Sequence, residues 1–71
     1  MKYILIELQT NADGTVGNIV TAYDNLDQAE SAWHSVLAAA AISSLPVHAA
    51  VLINNRGEVV ESRHYEHGEV V

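Results

Sequence analysis

A chain of 71 residues with a net charge of −6 and no Cys has room for one small domain, and it excludes disulfide staples and thiolate metal cages. Its three basic residues, Lys2, Arg56 and Arg63, are scattered among nine Asp and Glu. An electrostatic grip on a phosphate backbone needs basic residues in clusters, so no direct contact with nucleic acid is expected.

The opening MKYILIELQ holds one Lys and an apolar run broken at Glu7. That run is too short and wrongly flanked for a signal peptide or a membrane span, which predicts a cytosolic protein without membrane contact. Alternation and β-branched residues in KYILIELQ predict a strand at about 2–10. Ile4, Ile6 and Leu8 mark one of its faces, while Tyr3 and Leu5 keep the other apolar. TNADGTVGN, with Asp13-Gly14 and Gly17, has the composition of a hairpin connection, and NIVTAY resumes as a strand at about 17–23.

A helix is predicted at about 25–42. Asp24 is placed to accept from the amide three residues on, and Asp27 adds negative charge to the first turn. Leu26, Ala29, Trp33, Val36, Leu37 and Ala40 form one apolar stripe, with Asp27, Gln28, Ser31 and Ser35 on the wet side. SSLP ends the helix, because Pro46 drives Leu45 out of the helical region. VHAAVLI and EVVESRHYEH, joined by NNRG, then predict strands at about 47–54 and 58–65. The expected fold is α+β: two hairpins in ββαββ order, forming a four-stranded antiparallel sheet packed against one central helix.

Two features point to self-association. Ordering costs about 1.5 kcal/mol per residue against a gain of about 25 cal/mol per Å² of apolar burial, so break-even needs about 4,000 Å². A lone chain of this mass buries about that much apolar surface, which leaves the monomer near zero net stability. Apolar residues also remain once a helix covers one sheet face, because the third strand is apolar at nearly every position and the helix is apolar all round after Leu37. A dimer or larger assembly is therefore expected, with Ala38, Ala39, Ala41, Ile42, Leu5 and Leu52 as candidate interface residues.

Chemistry is sparse. There is no nucleophile elbow, phosphate-cradling glycine loop, paired carboxylate motif or metalloprotease helix, so no enzyme activity and no cofactor are expected. His64 and His67 are three apart, which in a strand puts them on opposite faces. A three-residue turn at Asn55-Arg56-Gly57 would set His48 opposite His64, and a two-residue turn would set it opposite Arg63. Two imidazoles are half a zinc shell, and no metal site is expected. His34 reads as a partly exposed helix residue. Glu58, Glu61 and Glu66 read as charges protecting a strand edge. A small nucleotide-like ligand remains compatible with the chain. Arg56 and Arg63 can fork onto phosphate or carboxylate oxygens, Tyr3, Tyr65, Tyr23 or Trp33 can stack on a ring, and His48 completes the candidate set.

The stretches IELQTNADGTVGNIV, AYDNLDQAESAWHSVLAAAAISSLPVHAAVL and HYEH resemble a family of small proteins encoded by tailed bacteriophages and prophages of Gram-positive bacteria. The resemblance covers almost the whole chain and carries no activity and no functional residue with it. It implies life in the cytoplasm of an infected bacterium. Two roles fit that setting. One is a homo-oligomeric binding protein with an anti-defence role, sequestering a host nucleotide signal or binding a host defence protein. The other is a minor structural or assembly component of the phage particle.

Overall fold

The fold was obtained as a computed structural model and is described over residues 1–68. β1 (Tyr3–Thr10) and β2 (Val16–Tyr23) form the first hairpin, α1 (Leu26–Ala41) follows, and β3 (Val47–Asn54) and β4 (Val59–Glu66) form the second. All strand pairs are antiparallel, and the order β2-β1-β3-β4 sets β1 and β3 at the centre and β2 and β4 at the edges. The expected ββαββ fold is therefore observed, with element ends displaced by a residue or so.

Both hairpins close with the same turn. Asn11 N–H donates to Thr15 O and Gly14 N–H to Asn11 O in the first; Asn54 N–H donates to Glu58 O and Gly57 N–H to Asn54 O in the second. Each glycine takes the left-handed conformation that the third turn residue requires, with φ of 89° at Gly14 and 81° at Gly57. Asn54 reinforces its turn, its Oδ1 accepting from Arg56 N–H at 2.9 Å and Glu58 N–H at 3.1 Å.

The second hairpin corrects both registers expected for His48. The turn does have three residues, but a bulge follows it: Ile53 pairs with Val59, whereas Leu52 pairs with Glu61. The extra residue shifts everything beyond by one, so His48 faces Tyr65 and Ala49 faces His64. Because side chains alternate with period two, that slip turns Glu61, Arg63 and Tyr65 toward the helix and Ser62, His64 and Glu66 away from it.

The helix begins one residue later than expected. Asn25 is the N-cap, its Oδ1 accepting from Gln28 N–H at 2.9 Å, while Asp24 pairs with Lys2. At the other end Ile42 N–H turns back to Ala39 O and Ser43 N–H to Ala40 O. His67 adds to this cap, its Nε2 lying 2.7 Å from Ala40 O, and since a carbonyl only accepts, Nε2 carries the proton.

The core lies between α1 and the middle of the sheet. Leu5, Ala29, Trp33, Ala50 and Leu52 are buried in one cluster, with Tyr3, Tyr23, Ala32, Val36 and Leu37 packed around it. Ala29 and Ala50 let the helix approach closely, and Trp33 fills the space they leave. Ala40 is also fully buried. Leu26, expected on the buried stripe, is exposed at 39%, and burial along the stripe begins at Ala29.

Candidate functional site

One helix about 10 Å wide covers the two central strands on one side. The cross-strand pairs fix the residues on each face: Leu5 with Leu52 and Glu7 with Ala50 lie under the helix, while Ile4 with Ile53, Ile6 with Val51 and Leu8 with Ala49 lie on the reverse. Val20 and Ala22 of β2 extend the reverse face, opposite Ile6 and Ile4. This surface is aliphatic across three strands, and among the described residues its ionisable groups, His64 and Glu66, sit on the outer strand β4.

The candidate interface set divides accordingly. Leu5 and Leu52 are corrected from interface to core residues, 4% and 0% exposed within the single chain. Alternation puts Leu5 on the face of β1 opposite Ile4, Ile6 and Leu8 but does not say which of the two faces the helix takes. The structure buries the hydrophobic end of the Leu5 face under Trp33 and leaves the polar end beside the helix. Ala38, Ala39, Ala41 and Ile42 do stand on the exposed helix surface, with Ile42 88% exposed.

On the helix side, the polar residues of the central strands form a buried cluster. His48 Nε2 lies 2.6 Å from Glu7 Oε2, and Gln9 Nε2 donates to the same oxygen at 2.8 Å. The His48 side chain is 5% exposed and that of Glu7 16%. Burial alone would raise the Glu7 carboxyl, but the hydrogen bonds from Gln9 and His48 and the attraction of His48 outweigh it and hold Glu7 below its ordinary 4.5. His48 Nδ1 is buried without a protein partner.

Beside this cluster, Arg63, Tyr65 and His67 form a column. The Arg63 guanidinium stands 4.9 Å from the Tyr65 ring centroid, and the His67 ring stacks on Tyr65 at 6.1 Å with an interplanar angle of 4°. Nearer the start of the helix, burial and then the adjacent Glu61 carboxylate raise Glu30 above its ordinary value, against the pull of His34 at 3.9 Å. Among the described residues no group of three His, Asp or Glu is placed to hold a metal ion.

The candidate ligand residues fall into two separate groups. Arg63 and Tyr65 touch, and His48 lies opposite Tyr65, but His48 is buried on Glu7 and closed to a ligand as the chain stands. Tyr3, opposite Asn54, and Arg56, in the β3–β4 turn, stand at the far end of the sheet. Trp33 is 3% exposed in the core and is corrected from a stacking platform to a packing residue, and Tyr23 packs beside it. Sequence reasoning missed the Glu7–His48 pair because only the β1–β3 pairing joins residues 41 apart. The alternation of Ile4, Ile6 and Leu8 marks one face of β1, but which face stays open is decided by where the helix packs.

No family model matches the chain, and no curated protein and no solved structure matches it. Among the described residues no helix is long and apolar enough to cross a membrane.

Proposed function

We propose that the chain is a small phage-encoded binding protein that works as a homo-oligomer, with copies joined through the open face of the sheet, and captures a molecule of the infected bacterial cell. The observation that carries this reading is the aliphatic surface of Ile4, Ile6, Leu8, Val51 and Ile53, which lies opposite the helix-covered side. Four strands about 4.8 Å apart, each of eight residues rising about 3.3 Å, present about 500 Å². Two such faces bury about 1,000 Å² together, the lower bound of a specific interface.

Charge favours a second copy as the occupant. The chain carries −6 overall, and this face keeps its ionisable groups at one edge, so like surfaces meet here with little repulsion. The resemblance to phage-encoded proteins supports the cellular setting. A host nucleotide signal or a host defence protein is the cargo this reading assigns, with Arg63 and Tyr65 as the accessible polar and aromatic pair.

Sedimentation velocity tests the assembly. Val51→Glu places a charge at the centre of the face and is expected to halve the wild-type mass, whereas Val51→Ile should retain it. A wild-type protein that sediments as single chains overturns the reading. For the ligand, a nucleotide that binds the folded state raises stability by about 2.7 kcal/mol at a hundredfold excess over its dissociation constant, read as a rise in Tm.

A further inference from the structure

The two edges of the sheet are not alike. β4 carries Glu61, Arg63, His64 and Glu66, the charged protection that a free edge needs. β2, VGNIVTAY, carries no charged residue and no proline, and seven of its eight residues are exposed. Val16 is 58% exposed, Ile19 54% and Val20 59%, so aliphatic side chains are uncovered on both faces of the same strand. An eight-residue, uncharged, apolar edge is a template for another strand.

The hairpin settles which backbone groups stand free. Asn11 N–H bonds Thr15 O, so the hydrogen-bonded pairs of the ladder recur at Gln9 with Gly17, Glu7 with Ile19 and Leu5 with Thr21. The N–H and C=O groups of Val16, Asn18, Val20 and Ala22 therefore point away from β1.

We infer that β2 pairs antiparallel with β2 of a second copy, about a two-fold axis perpendicular to the sheet, to make one continuous eight-stranded sheet. The register that uses all four free residues pairs Val16 with Ala22 and Asn18 with Val20 of the other copy, and it sets Ile19 against its own counterpart at the axis. Identical strands place identical residues close together at such an axis, so a charged strand would repel itself there. β2 is the edge that satisfies this condition, and β4 is not. Ile19 lies on the helix side, opposite Glu7, so this contact is separate from the aliphatic open face. Edge pairing joins copies side by side and face packing joins them back to back; the two together build a tetramer of two stacked eight-stranded sheets.

The test combines sedimentation with amide hydrogen exchange on the full-length protein. Ile19→Lys sets two like charges against each other at the axis and touches neither the core nor the open face. It is expected to run at half the wild-type mass with unchanged far-ultraviolet circular dichroism. In the wild type, the Asn18 and Val20 amides are expected to exchange at least about tenfold more slowly than in Ile19→Lys, since β1 is the one strand paired with β2 among the described residues and these amides point away from it. The same slow exchange is expected in Val51→Glu, so loss of face packing does not mimic loss of the edge. An unchanged mass for Ile19→Lys, or Asn18 and Val20 amides that exchange equally fast in both proteins, overturns the proposal.

Discussion

His48 and Glu7 are joined by a 2.6 Å contact between Nε2 and Oε2 that is nearly closed to solvent, though 41 residues separate them along the chain. Gln9, paired with His48 across the β1–β3 ladder, donates to the same carboxylate oxygen and fixes it. A buried carboxylate is stable only while its hydrogen bonds are made. His48→Ala removes one of two donors and leaves the charge half satisfied, so a loss of about 1–3 kcal/mol in urea unfolding is expected. Glu7→Gln with His48→Leu removes the charge and its partner together and should recover part of that loss.

The same contact sets an acid sensitivity. Glu7 is held below its ordinary 4.5 in the folded protein, so folding is favoured while the group is ionised. That contribution is fully present above the unfolded value near 4.5 and is lost as pH falls through the lower folded value. Urea midpoints measured from pH 6 downward should fall below about pH 4.5, and Glu7→Gln should flatten this part of the curve. A parallel decline in both proteins would assign the acid sensitivity to other carboxylates.

Ala40 is fully buried and Ala41, its neighbour, is exposed. Ala40→Leu forces extra volume into the contact between helix and sheet and should cost about 1–3 kcal/mol. Ala41→Leu adds the same atoms on the outside and should change stability by less than about 0.5 kcal/mol. Equal effects at the two positions would contradict the orientation of the helix on the sheet.

The helix cap gives a second paired comparison. Asn25 Oδ1 accepts from Gln28 N–H at 2.9 Å, so Asn25→Ala should cost about 1 kcal/mol. Asp24 meets Lys2 at a solvent-exposed site, and Asp24→Ala should cost less than the cap substitution. The reverse ranking in thermal unfolding would move the start of the helix back to Asp24.

Much of the fold was legible because its signals are local. Asn11 to Gly14 and Asn54 to Gly57 spell out two turns whose left-handed residue is glycine, and strand alternation with the helical stripe from Ala29 to Ala40 supplies the ββαββ order. The site was less legible. That His48 lies beside Glu7, that Tyr65 lies between Arg63 and His67, and that Leu5 is core while Ile6 is open all depend on strand order and register. One bulged residue near Val60 reassigns the facing of β4 from Glu61 onward, and no local propensity marks it.

The sequence by itself determined the elements, the turns, the absence of cysteine chemistry and the surplus of apolar surface, since each follows from side-chain type and spacing along the chain. Only the tertiary structure decided which apolar face the helix takes, which strand is left as an uncharged edge, and which polar residues are buried together. Those choices rest on free energies of packing between segments far apart in sequence. Trp33 and Ala50 are buried in one cluster on one side of the sheet, and the single helix, lying there, leaves Ile6 and Val51 on the other side uncovered.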